Sequence, residues 1–333
     1  MSENELLEPF ERLLAETVPL SRVREIERGA PADDLWATLV DSGFLDAMVS
    51  EQHGGAGLSF AAVEPLIRCA GRYLLPVAFA ETVVARALLA NAGLARPEGP
   101  IVLVSLARAD GGYRQGAVAF ARHAQHALVA FDDQVAFEPL SRASVEPTGV
   151  HGSLAADIGW SSRPEMGVGL PLPASGLRAL GASLRASLIA GAADQVLAVT
   201  VRYAGERAQF GKPIGKQQAI QQQLAVMAEQ AVMASMAAQI GCANGFPPPS
   251  EAAAVAKQVS SAAVSTIAAI AHAVHGAIGM SEEYDLSVYI RRLYELRMAD
   301  GSETFWAQRL GALRAGSRTA SSVDFVRELW LGG

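Results

Sequence analysis

The chain has 333 residues and a net charge of −7; 50% of its residues are hydrophobic and 18% are charged. This composition excludes an intrinsically disordered chain, and an acidic balance without a basic run argues against nucleic acid or an anionic membrane as the main partner. At roughly 150 residues per domain, the length predicts two or three structural units.

Cysteine content and the start of the chain narrow the class of protein further. Cys69 and Cys242 are too few for a disulfide framework or a zinc site, so we expect no metal. The N-terminal segment is acidic and polar, whereas a signal peptide begins with positive charge and has an apolar core. No run approaches the ~18 uninterrupted apolar residues that would cross a bilayer. We therefore expect a cytoplasmic protein with no membrane partner.

Residues 1–98 are predicted to form an N-terminal helical domain. Apolar residues recur at helical spacing near the start of the chain and again over 35–40. A polar, glycine-rich segment at 51–57 interrupts these helices. Two further helices are expected to follow, split near 75–76, with the last one ending at 91–93.

Residues 99–175 are predicted to form a short middle β domain. The run 101–104 is rich in β-branched residues, and 127–131 and 135–137 flank a polar turn, which is typical of a hairpin. Frequent proline and glycine make a long helix unfavourable here. About 75 residues is small for an independent core.

Residues 176–333 are predicted to form a C-terminal antiparallel four-helix bundle. Leucines recur at helical spacing along the first of these helices: Leu177, Leu180, Leu184 and Leu188. Three prolines at 247–249 end one helix, and Ser250 is expected to cap the next. The alanine-rich face at 252–271 suits close contact, either inside the bundle or with another subunit. The fold class is accordingly mainly α.

The common catalytic motifs are missing from the sequence. It contains no glycine-rich phosphate loop, no HExxH, no GxSxG and no cluster of metal-ligating residues at a metal-binding spacing. From the residues alone, the interpretation stops at a helical protein with a small β region.

Three segments together resemble the acyl-CoA dehydrogenase family. Residues 207–214, followed by Gln218, resemble the family signature R-x-x-F-G-x-P-[LI]…Q. Residues 275–279, followed by Glu283, resemble H-G-G-x-G…E, and 51–57 is similar to the turn P-E-E-H-G-G-x-G. The order and spacing of these segments match the family over nearly the whole chain.

The resemblance implies a fold, a cofactor and a reaction. The fold would have an N-terminal helical domain, a middle β domain and a C-terminal four-helix bundle, with FAD bound non-covalently between subunits. An acyl-CoA substrate would be oxidised to a trans-2-enoyl-CoA: a carboxylate takes the α-proton, the hydride from the β-carbon passes to the flavin, and a separate electron-transfer acceptor completes the cycle.

The resemblance also implies cofactor-binding residues. Arg207 would reach the FAD pyrophosphate of the neighbouring subunit, Phe210 would pack beside the cofactor, and Gln218 would hydrogen-bond near its adenosine half. His275 and Gly276 belong to the second cofactor-binding stretch. The alternatives are a surface charge at 207, an ordinary core aromatic at 210, and a glutamine at 218 that is one of several in its stretch.

The sequence departs from the family pattern at several positions. Ala273 replaces the glutamine that contacts the partner's FAD, Ala277 replaces the second glycine, and no T-E-P-x-x-G-S-D segment is present. Asp300 occupies the position of the catalytic glutamate in Y-E-G-T. An aspartate is one methylene shorter, and a displacement of about 1 Å can cost ~10²-fold in rate. Asp300 is either the base or a turn residue before Gly301.

Three hypotheses remain open at this point. The chain is a complete homo-oligomeric acyl-CoA dehydrogenase with Asp300 as its base, or the smaller subunit of a hetero-oligomer, or a non-enzymatic helical scaffold. The departures favour the smaller subunit, whose bundle would complete a flavin site held by a larger partner. The pattern resembles the short subunits of α2β2 acyl-CoA dehydrogenases in actinobacterial steroid side-chain degradation.

Overall fold

The computed structural model describes residues 3–109, 111–164, 169–209, 211–243 and 245–331.

The first part of the chain is helical. Within the described residues, the helices before the first strand are α1 (Glu3–Thr17), α2 (Leu20–Glu27), α3 (Asp33–Asp41), α4 (Phe60–Arg72) and α5 (Phe79–Asn91). The predicted interruption at 51–57 and the predicted split between α4 and α5 are both present.

Two small sheets follow. The first has the order β1-β4-β5-β8, with β1 parallel to β4 and the other pairs antiparallel, and the second is antiparallel with the order β2-β3-β7-β6. The predicted hairpin joins β4 to β5 through Asp132, whose φ is +52°. The strands are β1 (Ile101–Ser105), β2 (Ala107–Ala109), β3 (Gly112–Val118), β4 (His126–Phe131), β5 (Gln134–Pro139), β6 (Ser144–Pro147), β7 (Ala156–Trp160) and β8 (Gly169–Leu170).

The remainder of the chain forms a helical bundle. Its helices are α6 (Ala174–Glu206), α7 (Gln218–Ala243), α8 (Ser250–His275), α9 (Leu286–Met298), α10 (Glu303–Gly316) and α11 (Ser322–Leu331), and a short hairpin of β9 (Ala208–Gln209) and β10 (Lys212–Pro213) joins α6 to α7. The mainly α fold class, with a β part between two helical parts, is confirmed. The predicted cap at Ser250 is wrong, because Pro249 occupies the N-cap and Ser250 is the first helical residue.

The alanine-rich helix α8 packs into its own bundle. Ala252, Ala256, Ala263 and Ala271 are all buried within this chain. Small side chains allow close approach: a Cβ placed at Gly241 of α7 would lie 2.6 Å from the Cβ of Ala256. Of the two alternatives left open by the sequence, these four alanines therefore make contact inside the bundle, as part of the chain's own core.

Two segments of the described chain are long and apolar enough to cross a membrane by length and composition, namely Ala174–Glu206 and Ser250–Met280. In the first, 72% of the most apolar window is buried inside the fold. Core helices of folded bundles meet the same two criteria, so this finding is weak evidence for membrane insertion.

Candidate functional site

A cavity of about 730 Å³ lies where the middle β part meets α9 and α10. Residues 115–117 of β3 line one side, the loop 148–155 between β6 and β7 lines a second, and residues 290–301 of α9 and its following turn line a third. Small-molecule sites usually span about 300–1,000 Å³. Asp300, which the resemblance puts forward as the base, lies on the wall of this crevice.

Asp300 is held in a tight turn that faces α6. Asp300 and Gly301 both have positive φ, +56° and +100°, which asparagine, aspartate and glycine tolerate best. The indole Nε1 of Trp306 donates to the carbonyl of Asp300 at 3.0 Å. A Cβ placed at Gly181 of α6 would lie 2.7 Å from the carboxyl carbon of Asp300. The turn predicted for Asp300–Gly301 is therefore present, and it holds the carboxylate against the bundle.

The carboxylate of Asp300 is paired with a buried arginine. Arg185 Nε donates to Asp300 Oδ2 at 2.9 Å, and Arg185 Nη1 donates to Glu81 of α5. Arg185 and Glu81 are buried completely or nearly so. Burial raises the pKa of Glu81 against the attraction of Arg185. Burial by itself would lower the pKa of Arg185, but the carboxylates of Glu81 and Asp300 outweigh it and raise this pKa, so Arg185 stays charged. Asp300 thus acts as a counterion inside the protein.

The other acidic groups near the crevice also form ion pairs within the chain. Glu303 pairs with Arg297 at 3.0 Å, so it points away from the cavity, as expected for a residue in the first turn of α10. Glu295 accepts from Ser153 Oγ at 2.5 Å and pairs with Arg292 at 3.1 Å. Glu295 and Asp300, the two carboxylates among the described lining residues, are therefore both neutralised within the chain.

The opposite end of the bundle carries the residues of the first family signature. Arg207 follows α6 and Gln218 begins α7, and both side chains are exposed. The backbone of Arg207 is fixed, since its N–H donates to Tyr203 O and its carbonyl accepts from Ile214 N, both at 2.8 Å. Its guanidinium has no ion pair within the described residues. Phe210 lies outside the described residues.

The second cofactor stretch lies beside the first. His275 is buried and stacks on the ring of Tyr203 at 4.4 Å, and Tyr203 Oη donates to its carbonyl at 3.4 Å. Burial lowers the pKa of His275, whose Nδ1 lies 2.8 Å from the carbonyl oxygen of Ala271. Gly276 follows with φ +63°, and a Cβ there would meet open space. His275 therefore fixes the end of α8, while Gly276 is open to approach from outside.

These residues form two separate groups. Arg207, Gln218, His275 and Gly276 come together at one end of the bundle, whereas Asp300 lies at the other. Along α6, the distance from Gly181 beside Asp300 to Tyr203 beside His275 is about 22 residues, or about 33 Å at 1.5 Å per residue. A molecule that contacted both groups in one chain would have to span about 33 Å.

The two ends differ in how well they suit FAD. At the Arg207 end, a free planar guanidinium can bind a diphosphate bidentately, and an exposed amide and an open glycine backbone lie beside it. In the crevice, by contrast, Gln115 Oε1 accepts from Ser105 N, and Ala117 N donates to Asp157 Oδ1 at 2.7 Å. The exposed guanidinium of Arg207, the exposed side chain of Gln218 and the open backbone at Gly276 thus together suit the diphosphate half of FAD.

Sequence reasoning missed Arg185 and Glu81, although a signal was present. Arg185 interrupts the leucine stripe of α6, next to Leu184, in a stretch that is otherwise made of apolar and small residues. A charge in such a stretch requires a buried partner. The partners, Glu81 and Asp300, are 104 and 115 residues away, so the sequence alone did not identify them.

Comparisons with known proteins identify the family of the chain. Residues 179–311 match the sequence model of the C-terminal domain of acyl-CoA dehydrogenases. The chain is 30% identical over 277 residues to the acyl-CoA dehydrogenase IpdE2 of Mycobacterium tuberculosis, covering 79% of this chain and 80% of that protein.

Solved structures share the fold over nearly the whole chain. A variant of the Tcur3481–Tcur3483 steroid ACAD superposes with a TM-score of 0.82 at 21% identity, covering 94% of this chain and 97% of that one. The ChsE4–ChsE5 complex from Mycobacterium tuberculosis superposes with a TM-score of 0.80 at 19% identity, covering 95% and 98%. Taken with the IpdE2 relationship, the chain belongs to the acyl-CoA dehydrogenase family of oxidoreductases.

Proposed function

We propose that this chain is the smaller subunit of a hetero-oligomeric, FAD-dependent acyl-CoA dehydrogenase. In this proposal its Arg207 end completes a flavin site held mainly by a larger subunit. The observation that supports it is the contrast between the two groups of residues: the guanidinium of Arg207 is exposed and unpaired within the described residues, whereas Asp300 is paired with the buried Arg185.

Each residue at the Arg207 end has a defined task in this proposal. Bound FAD would supply the hydride acceptor for α,β-dehydrogenation of the acyl-CoA. Arg207 would hold the diphosphate, Gln218 would hydrogen-bond near the adenosine half, and Gly276 would leave room for the cofactor. The carboxylate that takes the α-proton would belong to the larger subunit, because Asp300 neutralises Arg185.

The compared structures support a two-protein assembly and a bulky substrate. Tcur3481–Tcur3483 and ChsE4–ChsE5 are each described as a pair of proteins, and the first is called a steroid ACAD. By analogy we propose that the substrate of the assembly containing this chain is a bulky acyl-CoA, for instance the CoA ester of a steroid side chain. A separate protein would accept the electrons.

The proposal is tested by changing Arg207 in the assembly formed on co-expression with a larger homologue. We expect Arg207→Ala to weaken FAD binding by about 10- to 100-fold, as for the loss of a charge-assisted bidentate contact. Arg207→Lys should restore part of the affinity, since the charge remains but the planar fork is lost. The measurement is FAD content by visible absorption, together with acyl-CoA oxidation. The control is Arg114→Ala, an exposed arginine of β3.

The same experiment separates the alternatives. One FAD per chain in the protein purified alone, with turnover abolished by Asp300→Ala, would establish a self-sufficient enzyme instead. A colourless chain that gains flavin and activity only with the larger homologue, and keeps activity after Asp300→Ala in an intact assembly, is the outcome that we expect. Unchanged flavin content after Arg207→Ala in every assembly would favour the scaffold.

A further inference from the structure

The crevice of this chain has an apolar interior. Its cavity of about 730 Å³ is partly open to solvent, and its wall contains an aliphatic and aromatic set: Val150, Ile290, Met298, Ala299 and Phe305. Burial of an apolar body against such a wall is favourable by roughly 25 cal/mol per Å². The interior therefore suits a hydrophobic ligand of moderate size.

The charges on the wall are matched within the protein, with one exception. Arg291 and Arg292 both pair with Glu27 at 3.0 and 2.9 Å, and Asp300 pairs with Arg185. Arg178 is the one arginine among the described lining residues that has no carboxylate partner within the described chain. Because it is only partly exposed, its charge is incompletely solvated, and an incoming anion would be attracted to it.

Arg178 lies at the junction of this cavity with a smaller one of about 250 Å³. Its guanidinium lies over the ring of Phe305 at 5.4 Å, and Arg309, which lines the smaller cavity, lies over the same ring at 5.7 Å. The first turn of α6 lines the smaller cavity as well, so its positive dipole end adds to the same potential. Asp132 on that wall is already paired with Arg163 at 3.2 Å.

From this arrangement we infer that the crevice binds an amphipathic carboxylate, with its apolar body in the larger cavity and its carboxylate on Arg178, assisted by Arg309. A planar guanidinium binds a carboxylate bidentately, which gives the head group a fixed position. The inference rests on the proposed function in one respect: the crevice must be free of flavin in this chain. The visible absorption spectrum of the purified chain checks that condition separately.

The test is calorimetric titration of the flavin-free full-length chain with decanoate, decanol and decyl phosphate. We expect decanoate to bind at least tenfold more tightly than decanol. Arg178→Gln should abolish this preference while leaving decanol binding unchanged, and Arg114→Gln should behave as the wild type. Val150→Asp, at an exposed position on the cavity wall, should weaken both ligands and decanoate more, because it adds a negative charge beside an apolar surface.

Three results would overturn the inference. The first is that neither decanoate nor decanol binds to the wild-type chain. The second is that Arg178→Gln retains the full preference for decanoate. The third is tighter binding of decyl phosphate than of decanoate, which would assign the head-group site to a phosphate. A chain that purifies with bound flavin would contradict the proposed function instead, and its spectrum distinguishes that case.

Discussion

Lys257 shows what a single buried charge does in this bundle. The side chain is fully buried in α8, and its Nζ donates to Ser261 Oγ at 2.8 Å and to the carbonyl of Arg297 at 2.7 Å. Burial lowers the pKa of Lys257 to about 7, since desolvation outweighs the attraction of Asp300, and Arg185 lowers it further. This lysine therefore titrates near neutral pH in the folded chain and near 10.5 when unfolded.

The pKa of Lys257 predicts a pH dependence of stability. Between about pH 7 and 10.5 the unfolded chain binds the extra proton, so this residue makes the free energy of unfolding rise with pH by up to about 1.4 kcal/mol per unit. Below pH 7 both states are protonated and the slope vanishes. We expect Lys257→Met to gain stability relative to the wild type at pH 7 and to lose that advantage towards pH 10.

Chemical denaturation of both proteins at several pH values measures this difference. Lys212→Met, which removes an exposed lysine of β10, is the matched control and should show a constant difference across the range. A Lys257→Met protein whose stability runs parallel to that of the wild type from pH 7 to 10 would disprove the lowered pKa.

At the scale of elements, α4 and α6 approach each other through glycines. A Cβ at Gly191 of α6 would lie 1.8 Å from the carbonyl oxygen of Arg68, and a Cβ at Gly71 of α4 would lie 2.2 Å from the carbonyl oxygen of Leu188. Both obstacles are backbone atoms, which cannot rotate away. The contact between the N-terminal helices and the bundle thus depends on the absence of two side chains.

This contact predicts that Gly191→Ala is destabilising although alanine favours a helix. Overpacking against backbone should lower the free energy of unfolding by about 1–3 kcal/mol or more, which exceeds the helix-propensity gain of ~1 kcal/mol. Gly205→Ala in the same helix, where a Cβ meets open space, should be neutral or slightly stabilising. Urea denaturation compares the two, and equal stability of both variants would contradict the close approach.

At the scale of the whole molecule, a network of buried charges joins its three parts. Glu27 of α2 binds Arg292 of α9, and Arg122 of the middle part donates to the carbonyl of Glu27 at 3.0 Å. The guanidinium groups of Arg185 and Arg292 both lie over the ring of Phe120, at 5.5 and 5.4 Å from its centroid. The N-terminal helices, the β part and the bundle therefore share one set of charge contacts.

Removal of one member of this network is expected to weaken the whole fold. Arg292→Met leaves Glu27 without one of its two arginines in a buried environment, which should cost about 3–5 kcal/mol. Arg12→Met breaks an exposed pair with Glu8 and should cost about 0–1 kcal/mol. Thermal and urea unfolding measure both, and a loss at Arg292 no larger than at Arg12 would refute the role of the network.

Sequence patterns that extend over only a few residues predicted much of the fold. Helical spacing predicted the helical N-terminal and C-terminal parts, β-branched residues predicted β1, and the polar turn predicted the hairpin of β4 and β5. The cap of α8 was assigned one residue too late because serine is a preferred N-cap residue, whereas Pro249 takes the N-cap without a side-chain hydrogen bond. The motifs led to the family, and in the structure the two cofactor stretches, 207–218 and 275–276, lie side by side.

The sequence by itself determined the helices, the β part between them and the family, because these depend on residues a few positions apart and on motifs that can be read directly. The tertiary structure alone decided what Asp300 does. Its partner Arg185 is 115 residues away, and only the packing of α5 and α6 against the turn after α9 brings the two charges and Glu81 together. A buried charge must be neutralised locally, so this packing makes Asp300 a counterion.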